Sequence, residues 1–158
     1  MFDTVLGLPV HPLVVHAVVV LVPLSALGVV AISLVPRWRE RYGVLVLLLS
    51  TAALVMVPVA TRSGERLEER IDAGGVVARQ IEDHQEVADL VLWPTIAMWV
   101  LAGLLVLLTR RRRAGTAAAL VAGLAVVAAL LAGATVVRAG HLGSTAVWSC
   151  TIGSDACS

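Results

Sequence analysis

Apolar residues run almost unbroken through four stretches of the chain, at 12–35, 44–61, 90–109 and 116–137. A helix needs about 20 such residues to cross a bilayer, and the shortest of the four still falls within the usual range. The pattern therefore predicts an all-α, integral-membrane four-helix bundle in one domain spanning 1–158. The polar interval 62–89 is helix-compatible on both sides of Gly74-Gly75, where glycines mark a break. It predicts that the second and third helices project beyond the membrane as a helical hairpin, with Glu65 and His84 facing one another. Residues 142–158 are read as a tail.

Composition agrees with this pattern. Of 158 residues 59% are hydrophobic and 15% charged, with a mean hydropathy of +0.93. A soluble domain needs more polar surface than that. A signal peptide is the competing reading of the first stretch. Its apolar run is too long and no basic segment precedes it, the only early charge being Asp3.

The net charge of +1 hides a polarity along the chain. Arg37, Arg39 and Arg41 lie between the first two apolar stretches, and Arg110 to Arg113 lie between the last two. Short basic loops stay cytoplasmic, so both termini and the acidic 62–89 interval are expected to be extracytoplasmic. The arginine run beside a membrane helix fits lipid headgroups better than nucleic acid. Trp38, Tyr42, Trp93 and Trp148 suit the interfacial belts. Small residues at Gly115, Ala119, Gly123, Ala129 and Gly133 predict a closely packed fourth helix. Pro23 predicts a kink in the first helix. No internal repeat is apparent. Cys150 and Cys157 fall in the tail, where a disulfide and two free thiols are both open.

The candidate chemistry lies at one level. Counted from the arginine loops at 1.5 Å per residue, His11, Glu65, His84 and His141 stand roughly 36 to 42 Å along their helices, and His16 about 32 Å. Ionisable groups at membrane depth usually face inward and mark function. A neutral imidazole can bind haem iron or a metal ion, and a carboxylate can ligate or orient it. The candidate cofactor residues are thus His11, His16, Glu65, His84, Arg138 and His141. Arg138 is placed to meet a carboxylate. The metal-ligand subset is His16, Glu65, His84 and His141. His16 is the strongest single candidate because it lies inside the apolar run and needs a partner. His11 and His16 stand about 140° apart on a helix, so one ion is not expected to use both. The blander roles are a helix cap for His11, a solvated face for His84 and an ordinary helix end at His141.

At HPLVVH, with SGERLEER and EDHQEVADL further on, the chain resembles a bacterial membrane family catalogued as domain of unknown function 2231. The likeness covers nearly the whole chain and implies a small inner-membrane protein with four helices. His11, His16, Glu65 and His84 match the motif directly, and His141 only loosely. Relatives carrying a Rieske iron–sulfur domain connect the family with electron transfer.

The leading expectation is noncovalent haem b, or a transition-metal ion, serving electron transfer to a redox protein or a quinone in the bacterial inner membrane. Haem takes two axial ligands, here His16 with His84 or His141. The alternative is a structural or scaffold subunit without cofactor, in which the polar layer holds the helices together. Lipids are the expected surroundings, a homo-oligomer is open, and nucleic acid is not expected. A proton-coupled transporter ranks last, because the inner halves of the spans are apolar. Ser63 and Ser144 make no hydrolytic motif, and no catalytic residue is assigned.

Overall fold

The structure, a computed structural model, describes residues 4–5, 7–71, 73–111 and 115–148. Five helices follow a two-residue antiparallel pairing of β1 (Thr4–Val5) with β2 (Leu8–Pro9). They are α1 (Val10–Leu34), α2 (Pro36–Glu68), α3 (Gly75–Leu90), α4 (Leu92–Arg110) and α5 (Thr116–Trp148). Four segments are long and apolar enough to cross a membrane: α1, α2, α3 with α4, and α5. Cys150 and Cys157 lie outside the described residues.

Local sequence sets the breaks. Pro36 opens α2, where a missing N–H costs nothing. Arg39 then turns back onto the end of α1, donating from Nε to the Ile32 carbonyl (2.8 Å) and from Nη2 to the Ser33 carbonyl (2.9 Å). Those carbonyls have few helical partners of their own, so this arginine caps a helix besides marking a basic loop. Helix α2 ends at Glu68, short of the break expected at Gly74-Gly75, and α3 begins at Gly75 with φ +60°. Pro94 interrupts the third span, because it cannot donate to the carbonyl four residues earlier, and α3 gives way to α4 at Val91. The last helix outruns its apolar core and continues through His141 to Trp148. Helical backbone there replaces part of the tail expected from 142 onward.

Around the bundle, α1 packs against α2 and α5, α4 packs against the same two, and α1 and α4 face each other across a diagonal. In lipid such packing rests on van der Waals fit and on satisfied polar groups more than on apolar burial. The buried Ser50 and Thr95 donate to the carbonyls of Val46 (2.8 Å) and Val91 (2.7 Å), and Trp99 donates to Thr51 (2.8 Å), tying α4 to α2. Helix α5 meets its neighbours through Ala125, Ala129, Ala132, Val136 and Ala139. Gly123 and Gly133 have open space where a side chain would be, so alanines make the close packing that the glycine spacing had pointed to. At Gly43 a methyl group would come within 2.9 Å of Val106. Gly43→Ala should cost about 1–3 kcal/mol, read as a lower unfolding midpoint in detergent.

Burial discloses a duplication that residue identities conceal. An offset of 73 residues carries His11 onto His84. The same shift takes the buried Val18, Val22, Val29 and Ile32 onto the buried Val91, Thr95, Ala102 and Leu105. An offset of 79 carries the buried Val46, Ser50, Ala53, Val57 and Ala60 of α2 onto Ala125, Ala129, Ala132, Val136 and Ala139 of α5. The two halves run the same way along the bundle, a parallel repeat about its long axis.

Candidate functional site

Each half of this repeat seats one imidazole in the same manner. His11, in the first turn of α1, shares its Nδ1–H between the Ala60 carbonyl and Ser63 Oγ of α2, both at 3.1 Å. His84, on α3, donates Nδ1–H to the Ala139 carbonyl of α5 at 2.8 Å. A methyl group added to Gly64 would lie 3.0 Å from His11 Cε1, and one added to Gly143 would lie 3.0 Å from His84 Cε1. The seat is thus Ala-x-x-x-Gly in both halves, Ala60 to Gly64 and Ala139 to Gly143. Alanine leaves its carbonyl accessible, and glycine one turn later leaves room for the ring.

The two rings meet across the diagonal, with centroids 6.4 Å apart and planes at 74°. Donation from Nδ1 puts the lone pair of each neutral ring on Nε2. No hydrogen bond to either Nε2 is found among the described residues. A cavity of about 480 Å³ borders both rings, with Glu65, Glu68 and Asp89 also in its lining. A smaller one of about 60 Å³ borders the same rings and the apolar side chains Val15, Val57, Val91 and Val136. Glu68 and Gln85 hydrogen-bond across the larger cavity, linking α2 to α3. Helix α3 otherwise leans on α5 and touches α2 only slightly.

Of the residues singled out from sequence, His11 and His84 come together, and Glu65 joins them in the larger cavity. His16, Arg138 and His141 are exposed and line neither cavity. His16 donates Nδ1–H to the Pro12 carbonyl of its own helix. The His141 carbonyl accepts from Ser144 (2.7 Å) and Thr145 (3.0 Å). Among the described residues no three His, Cys, Asp or Glu side chains gather as a metal-ion cluster. The structure thus does not gather His16, Glu65, His84 and His141 into one cluster, although they share a common height.

Sequence reasoning passed over the seats, Ala60, Ser63, Gly64, Ala139 and Gly143. A signal existed in the heptad spacing. His11 lies seven residues before the buried Val18, and His84 seven before the buried Val91. Gly64 and Gly143 lie seven after the buried Val57 and Val136. All four extend the stripes that form the core, and His16 and His141 fall off them.

A family model described as predicted membrane protein, DUF2231, matches residues 7–156. The chain belongs to that family. No curated protein and no solved structure matches it. Within this DUF2231 chain, HPLVVH and the EDHQ segment supply the two imidazoles that meet. The second histidine of HPLVVH turns outward.

Proposed function

We propose that the protein holds one noncovalent b-type haem between His11 and His84 and serves electron transfer. The observation that carries this reading is the paired seating of two imidazoles at 6.4 Å. Two rings bound on opposite sides of one metal stand about 6.3 Å apart between centroids, from metal–nitrogen bonds of about 2.0–2.1 Å and about 1.1 Å more to each ring centre. The residues present fit haem better than a bare ion. Haem brings four equatorial nitrogens and asks the protein for two axial ligands, whereas a bare ion needs a larger side-chain set than this pair supplies. When bound, haem would supply one-electron chemistry.

The chain's own contribution is orientation and enclosure. The carbonyls of Ala60 and Ala139 hold each ring in the tautomer that leaves Nε2 available, as hydrogen-bonded partners do for metal-bound histidines. Valines and alanines line the smaller cavity beside the pair, and acidic side chains join the lining of the larger one. Arg37, Arg41 and Arg110 at the opposite end of the bundle support, by the positive-inside rule, an extracytoplasmic histidine end in a bacterial inner membrane. The electron partner is then a quinone or a redox protein reaching that side.

Purified after expression with haem available, the protein should be red. It should carry one haem per chain by pyridine haemochrome and show a low-spin spectrum. A colourless, haem-free protein whose His11→Ala variant unfolds more readily would overturn the reading in favour of a structural role for the pair.

A further inference from the structure

Beyond the histidine pair, the outer length of α2 sorts its charges by face. Glu65 and Glu68 line the cavity toward α3 and α5. Arg62, Arg66 and Arg70 line another cavity, of about 330 Å³, which shares His11 and Ser63 with the seat, is walled by Thr4 of β1 and Pro9 of β2, and reaches down to Val10 and Val59. Among the described residues the arginine cavity has no carboxylate in its lining and the acidic cavity has no arginine. Arg62 and Arg66 stand one turn apart on α2, about 6 Å along its axis, and Arg70 follows in the turn just past its end. They rise from the apolar level of Val59 toward the polar end of the helix.

A ladder of this kind has ordinary uses. Arginines near a helix C-terminus complement its dipole, and Arg66 and Arg70 make interactions of their own. Neither use accounts for the apolar floor continuous with the ladder, nor for its presence in one half of the repeat alone. The 79-residue offset takes Arg62 to His141 and Arg66 to Thr145, while Arg138 falls at the place of Val59. The duplicated scaffold therefore does not require the ladder. It is an addition to the first half.

We infer that this groove binds an anionic phospholipid, its phosphate held by Arg62, Arg66 and Arg70 and its glycerol and upper acyl chain lying against Val10 and Val59. Each guanidinium presents several donors in a planar fork suited to phosphate oxygens, so an arginine that already has one partner can still contribute. Basic pockets beside membrane helices take lipid headgroups by the same chemistry. A free phosphate would satisfy the arginines and leave the apolar floor uncovered, so the lipid is the occupant that matches both ends of the groove.

The test uses the delipidated full-length protein in nonionic detergent, titrated by native mass spectrometry. The probes are dioleoyl phosphatidylglycerol and dioleoyl phosphatidylcholine. Phosphatidylglycerol should bind about tenfold more tightly. The triple variant Arg62→Gln, Arg66→Gln, Arg70→Gln should lose that preference, and millimolar inorganic phosphate should not displace the bound lipid. Arg62→Gln alone should reduce the preference about threefold, which keeps the test available if the triple variant does not fold. An undiminished preference in both variants would overturn the assignment. Displacement by inorganic phosphate would overturn the lipid as occupant. Haem content is read separately from the spectrum, so either proposal can fail while the other stands.

Discussion

On the proposed haem reading, replacing His11 or His84 by alanine should lower haem retention by about 100-fold or more, and replacing both should leave the protein colourless. Changing the groups around metal ligands costs 10–100-fold in affinity, and removing a ligand should cost at least the upper end of that range. Each single variant leaves one protein imidazole, so any haem it retains should shift from a low-spin to a high-spin spectrum. His16→Ala and His141→Ala should keep full occupancy and an unchanged spectrum, because neither ring lines the cavities beside the pair. The measurement is haem per chain by pyridine haemochrome across the four single variants and the double one, with helical content by circular dichroism as the control for folding. Loss of haem in His16→Ala with retention in His11→Ala would reject the assigned pair.

The second large effect is expected at residues with no side chain. In Gly64→Leu and Gly143→Leu the new Cβ alone would stand 3.0 Å from the imidazole it adjoins, and the rest of the side chain has to displace the ring. The ring then leaves the Ala60 or Ala139 carbonyl and loses the bond that sets its direction. We expect haem affinity to fall about 10–100-fold in each, the range seen when partners that orient a ligand are lost. Gly133→Leu on the same helix should be nearly neutral, because nothing lies within 4 Å of its added Cβ. Equal retention in all three variants would show that ring orientation does not matter to binding.

How far the site was legible is best seen at HPLVVH. Depth in the apolar run favours His16 over His11, since a buried imidazole needs a partner more urgently. What decides is azimuth. The two residues stand about 140° apart around α1, and it is His11 that continues the stripe of Val18, Val22 and Val29 toward α2. His141 fails for the same reason: it shares the height of the layer but lies two residues away from Gly143, which is on the stripe. Height along a helix can be counted from sequence, whereas the direction a residue faces depends on which neighbours the helix meets. The repeat stayed hidden on similar grounds. Its halves share positions of burial and room for a ring, while the identities at those positions, such as Val22 and Thr95 or Ser50 and Ala129, differ.

By itself the sequence determined the class of protein, the four membrane-capable segments and the start of α3 at Gly75. Apolar length, proline and glycine act on the chain locally, and no partner helix is needed to read them. It also determined that the histidines lie toward one end and the loops holding Arg37 to Arg41 and Arg110 to Arg113 toward the other, because helices of similar length in alternating directions leave little choice. Only the tertiary structure decided which imidazoles meet, which backbone carbonyls hold them and which face of α2 carries its arginines. These depend on the rotation of each helix about its own axis, and packing against α2, α4 and α5 sets that rotation.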